Sequence, residues 1–167
     1  MKNIKDITFM GLFVALLISA QYVLSFISGV EVITVLLLCY CYVFGSSKGV
    51  IVSTVFSITR CLVFGFNINV IILYLIYYNL FALFFGYLGK RTGSLSLIVS
   101  GSVVFTILFT MIDNIITPLI LGFSKNAAIT YMLYSVYTCA PQIICTFVTV
   151  SLLFKPLTKV LYKFKNS

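Results

Sequence analysis

Six apolar blocks, parted by short polar or glycine-bearing breaks, take up almost the whole of this chain. They cover residues 7–27, 30–44, 50–66, 70–88, 95–121 and 127–154. About 20 residues of helix cross a bilayer core, and in lipid each backbone N–H and C=O must find its partner within its own segment or in a closed barrel. Barrel strands would be segments of about 10 residues with strict alternation, and these blocks are longer and uniformly apolar. The pattern therefore predicts an all-α integral membrane protein, a single domain of six transmembrane helices over residues 1–167. The second block is short for a full span, which predicts little tilt or a partly buried bordering loop. Ser28-Gly29 and Gly45-Ser46-Ser47-Lys48-Gly49 read as turn and loop, and Lys155-Pro156 reads as the start of a basic tail. The first block has the basic start and small Ser19-Ala20 of a signal peptide. Removing it would leave five spans and break the charge pattern described next, so it is read as a retained span.

Composition narrows the function classes. Hydrophobic residues make up 62% of the 167 and charged ones 8%, with a mean hydropathy of +1.19. Soluble domains carry about 25% charged residues, so a soluble enzyme, a nucleic-acid-binding module and a disordered tail are all excluded. The net charge of +8 needs another cause. With six spans in place, Lys2, Lys5, Lys48, Lys90, Arg91, Lys155, Lys159, Lys163 and Lys165 fall on one side, Lys125 on the other and Arg60 within a span. Positive residues mark the cytoplasmic side, so both termini are expected in the cytoplasm of a plasma-membrane protein. The basic residues then serve an anionic inner leaflet and imply no nucleic acid.

The chemistry available to such a chain is limited. Cys39, Cys41, Cys61, Cys139 and Cys145 all lie inside apolar blocks and form no C-x-x-C pair, so they read as small apolar filler. There is no His and there are three acidic residues. A metal site, a cofactor and enzymatic catalysis are not expected. No G-x-x-x-x-G-K-[ST] occurs, so ATP is not bound through a P-loop. Gly11, Ala15 and Ser19 repeat every four residues on the first helix, a small-residue stripe that suits close helix approach. It would serve either a partner subunit or packing inside the bundle.

Ionisable and amide side chains at membrane depth point to function, and here they gather in the outer half. Arg60, within the third span, reaches its outer third, Glu31 opens the second, and Tyr74, Tyr78 and Asn79 lie in the first three turns of the fourth. Asp113 and Asn114 lie near the outer end of the fifth, before Pro118, and Tyr131, Tyr134 and Tyr137 lie in the outer part of the sixth. Asn67, Asn69, Lys125 and Asn126 belong to outer loops, and the inner half is apolar apart from Gln142. Aromatic walls with a few convergent polar groups suit a small-molecule cavity open to the outside. The structural alternatives are interfacial tyrosines and an Arg60–Asp113 ion pair acting as glue.

Over its whole length the chain resembles the substrate-binding S components of energy-coupling factor (ECF) transporters, the vitamin-capture subunits of prokaryotic uptake systems. The residues that carry the likeness are Val30-Glu31-Val32-Ile33-Thr34 opening the second helix, Val43-Phe44-Gly45 closing it, and Phe154-Lys155-Pro156-Leu157 ending the sixth. An Ala-x-x-x-Ala-like motif on the first helix of that family meets the coupling subunit; here Ala15 and Ser19, with Gly11 one turn earlier, stand in those places. The resemblance implies capture of a vitamin-like compound from outside by helices four to six and the outer loops. It also implies partnership with a transmembrane coupling subunit and two ATPases, and toppling in the bilayer to release substrate inside. On the depth pattern, Arg60, Asn79, Asp113 and Asn114 are expected to orient substrate, and Tyr74, Tyr78, Tyr131 and Tyr134 to stack on it. Asn67 and Glu31 are expected at the mouth, Glu31 as a gate.

Two rival functions make different demands on the sequence. A stand-alone ion-coupled secondary transporter would need repeated broken helices and mid-depth carboxylates. A membrane enzyme acting on lipid would need acidic or His residues near one interface, and the loops on the basic side hold none.

Overall fold

The computed structural model describes residues 2–25, 32–91 and 93–166. Six α-helices and no strand form among them: α1 Lys2–Leu24, α2 Val32–Phe44, α3 Ser46–Phe64, α4 Ile68–Arg91, α5 Leu95–Leu121 and α6 Lys125–Asn166. Five are long and apolar enough to cross a membrane, and α2 is a shorter apolar helix of 13 residues. Large apolar side chains project from the bundle in rows, such as Ile51, Val55, Ile58 and Leu62 on α3 and Ile72, Ile76, Leu80 and Leu83 on α4. Apolar rows of this length belong in hydrocarbon, because water would drive them together.

α2 is hydrophobic on every face, and a helix of that kind is a core helix. Ile33 to Val35, Leu37 to Cys41 and Val43 are all buried. α1, α3, α4 and α6 pack on it directly, and α5 closes the ring by packing on α4 and α6. α1 leans on α2 and α3 but meets α6 at little more than the rings of Phe9 and Phe164, 5.8 Å apart. An apolar groove of about 190 Å³ remains there, lined by Phe13, Leu16, Cys39, Val160 and Leu161 among others.

Two segments depart from the sequence reading. The stretch 45–49 is a one-residue corner followed by helix: Gly45 turns the chain at φ 87° and α3 starts at Ser46. Its glycines and serines serve close packing. A Cβ on Gly86 of α4 would collide with the Ser46 backbone, and one on Gly89 with the Tyr42 carbonyl. The α2–α3 corner is therefore seated directly on the α4 backbone. Gly49 likewise leaves room for the Cys41 sulfur, and Cys39, Cys41, Cys61 and Cys139 are buried as small filler.

The second departure is α6, which runs through Pro156 instead of stopping there. Proline removes one helical N–H, yet Phe154, Thr158 and Leu161 are buried and Leu157 packs against the core, a continuous inward stripe. Lys165 Nζ then donates to the Val43 carbonyl at 2.6 Å, satisfying one of the carbonyls that the end of α2 leaves open. With Asp6–Lys48 at 2.9 Å, these contacts gather the starts of α1 and α3 and the ends of α2 and α6 at one end of the bundle.

Gly86→Ala and Gly89→Ala are each expected to lower the melting temperature of the detergent-purified protein, by the roughly 1–3 kcal/mol of an overpacked core. Gly11→Ala, where an added Cβ meets nothing within 4 Å, is expected to cause no loss. Equal melting temperatures for all three would contradict the seating of the corner on α4.

Candidate functional site

At the far end from the gathered lysines, α3 and α4 form a hairpin through residues 65–67, and Gly65 makes its turn at φ 103°. The Asn67 carbonyl accepts the Ile71 N–H at 3.1 Å and so opens α4, with the Asn67 side chain exposed. Arg60 sits in the last turns of α3. Its guanidinium carbon lies 4.3 Å from the ring centroid of Tyr74 and 5.3 Å from that of Phe64. Tyr74 is only 9% exposed, so the cation turns toward the bundle interior and away from lipid.

An aromatic column continues inward from Tyr74. Tyr78 meets Tyr74 edge-on at 5.0 Å, Phe56 meets Tyr78 at 5.4 Å, and Tyr77 meets Phe109 of α5 at 4.9 Å. Phe81 then packs on Phe85 at 4.5 Å and on Phe105 at 5.4 Å. Edge-on and tilted geometries of this kind are the favoured ones for rings. Tyr77, Phe105 and Phe109 were absent from the sequence-derived set. The signal for Tyr77 was available, since it stands between Tyr74 and Phe81 at helical spacing.

The second polar centre joins α4, α5 and α6. Asp113 accepts the Tyr131 hydroxyl at Oδ2 and the Thr117 hydroxyl at Oδ1, both at 2.6 Å. Asn69 Nδ2 donates to Thr117 Oγ1 at 3.4 Å. Both carboxylate oxygens are thus engaged by short charge-assisted bonds, the form in which a carboxylate can persist away from water. Among the described residues the only ion pair is Asp6–Lys48, so the alternative of an Arg60–Asp113 pair is overturned. Asn114 beside it keeps a buried Oδ1 without a partner. Pro118 also deprives the Asn114 carbonyl of its helical donor.

Other members of the sequence-derived set go elsewhere. Asn79 is half-buried and accepts the Thr54 hydroxyl at 3.1 Å, a polar link between α3 and α4 below Arg60. Tyr134 and Tyr137 are 66% and 78% exposed. A ring facing out of the bundle cannot line an internal wall, so Tyr134 does not take the stacking position expected of it. Lys125 and Asn126 are exposed at the start of α6. Glu31, the expected gate, lies outside the described residues.

The expectation of an inner half apolar apart from Gln142 also needs correction. Thr106 and Thr146 share a buried hydrogen bond of 3.1 Å between α5 and α6, and Ser102, Thr149 and Thr158 bond to carbonyls three or four residues back. Hydroxyls satisfied on their own helix cost little in lipid, so an inventory of charged and amide groups overlooks them. On α1, Gly11, Ala15 and Ser19 are exposed while Phe13, Val14 and Leu17 are buried. The small-residue stripe therefore faces outward, and packing inside the bundle does not explain it. No family model, curated protein or solved structure matches the chain.

Tyr131→Phe and Thr117→Val are each expected to destabilise the protein by about 1.5–3 kcal/mol, the size of a hydrogen bond to a charged group. The double variant is expected to lose more than the sum, because it strands the carboxylate. Additive losses in thermal unfolding would show that the two hydroxyls do not share Asp113.

Proposed function

We propose that this chain is the membrane-embedded substrate-binding subunit of an ECF-type importer. It captures a vitamin-like small molecule from outside the cell and relies on a coupling subunit and two ATPases for uptake. The observation that carries the reading is the contrast between the two ends of the bundle. One end holds the Arg60–Tyr74 contact and the Asp113–Tyr131–Thr117–Asn69 network on α3 to α6. The other holds Lys48, Lys165 and the starts of α1 and α3. A basic end belongs at the cytoplasmic leaflet, which turns the end with the Arg60 and Asp113 centres outward and leaves both termini inside.

The remaining features support the same role. Without a nucleotide-binding motif in the sequence, uphill movement has to draw on another subunit or an ion gradient. The exposed Gly11, Ala15 and Ser19 give α1 a smooth face on which a partner helix can approach closely. Of the residues first assigned to substrate, Arg60, Tyr74, Tyr78 and Asn114 stay as contacts, with Asn67 at the mouth. Asp113 and Tyr131 hold α5 against α6, and Asn79 holds α4 against α3, so these three position the site.

Isolated gently from its own membrane, the tagged chain is expected to bring with it a second polytopic subunit and two P-loop ATPases. Ala15→Phe is expected to abolish that recovery at an unchanged melting temperature. A chain recovered alone, which accumulates solute in vesicles under a proton or sodium gradient without ATP, would contradict the proposal and favour a secondary transporter.

A further inference from the structure

We infer that the captured molecule carries an anionic group, a carboxylate or a phosphate, and that Arg60 is the residue that receives it. The inference rests on the capture reading above and adds the charge of the ligand.

Four observations lead to it. First, Arg60 has no carboxylate within ion-pair distance among the described residues, since the only such pair is Asp6–Lys48 at the other end. Asp113, the acidic residue at this end among the described residues, has both oxygens taken by Tyr131 and Thr117. Second, the guanidinium lies over Tyr74, a ring only 9% exposed. An arginine anchoring the bundle to headgroups would extend away from the protein, and this one turns in. Third, Nε is buried and has no acceptor, while the residue as a whole is half-buried, which leaves the fork open on one side. Fourth, an uncompensated charge at membrane depth is costly, and a guanidinium offers paired donors matched to carboxylate and phosphate oxygens. The Tyr74 and Phe64 faces hold the plane of that fork in place. An anionic ligand would supply the charge and the acceptors that the described residues do not.

The test uses the tagged full chain and its Arg60→Gln and Arg60→Lys variants, purified from the native membrane. Water-soluble and lipid extracts of each are identified separately by mass spectrometry. The wild-type protein is expected to retain a water-soluble compound bearing a carboxylate or phosphate. Arg60→Gln is expected to retain about tenfold to a hundredfold less, the loss that follows from removing hydrogen bonds to a charged group, and Arg60→Lys an intermediate amount. The neutral amide or ester of the compound is expected to bind wild type and Arg60→Gln equally. A neutral or cationic compound on the wild-type protein, or undiminished retention by Arg60→Gln, overturns the anion assignment and leaves the capture reading standing. An anionic lipid as the sole retained species, lost with Arg60→Gln, overturns it in favour of a headgroup anchor. If Arg60→Gln does not fold, the charge of the wild-type compound and the Arg60→Lys result still decide. A wild-type protein that retains no compound and binds none contradicts the capture reading, and this inference with it.

Discussion

Burying α2 on all its faces fixes the arrangement of the other five helices. A 13-residue helix is about 20 Å long at 1.5 Å per residue, short of the ~30 Å of a hydrocarbon core. It gains by being walled in, since its apolar groups pack on protein throughout and its open carbonyls find donors in neighbours such as Lys165. That central position requires the tight corner at Gly45 and the bare α4 backbone at Gly86 and Gly89. It also gives α6 a reason to continue past Pro156, because Leu161 and Thr158 cover the inner end of the core.

The same demand for internal partners governs the polar groups. Where lipid replaces water, a hydroxyl, amide or carboxylate must be matched by the protein or by a ligand. Thr106 with Thr146, and Asp113 with Tyr131 and Thr117, meet the demand internally. Arg60 Nε and Asn114 Oδ1 do not. These two lie at the end of the bundle remote from the lysines, while Gln21 Oε1, Tyr40 Oη and Ser53 Oγ are also buried without a partner, the last two toward the basic end.

Much of this was legible in the sequence, because the bilayer allows so few solutions. α5 has the bounds read from its apolar block, and most other helix ends differ by a few residues. What failed was local. Glycine and proline read as punctuation at 45–49 and at Pro156, whereas here glycine marks close approach and the inward stripe of Phe154, Thr158 and Leu161, with Leu157 partly buried beside them, outweighs one missing N–H. Depth along a helix was readable from residue counts, and direction around it was not. Tyr131 and Tyr134 lie one turn apart in height, yet one donates to Asp113 and the other faces out. The pairing of Asp113 with hydroxyls, instead of with Arg60, depends on how α5 and α6 rotate against each other, which uniform apolarity leaves unmarked.

The central claim is that the two ends of the bundle face opposite compartments, with the Arg60 and Asp113 centres opening outward. Single cysteines introduced at two exposed positions, Asn67→Cys and Lys163→Cys, test it directly in intact cells with a membrane-impermeant maleimide. The account predicts labelling of Asn67→Cys in intact cells and of Lys163→Cys only after permeabilisation. The reverse pattern would place the polar centres on the cytoplasmic side and contradict the account.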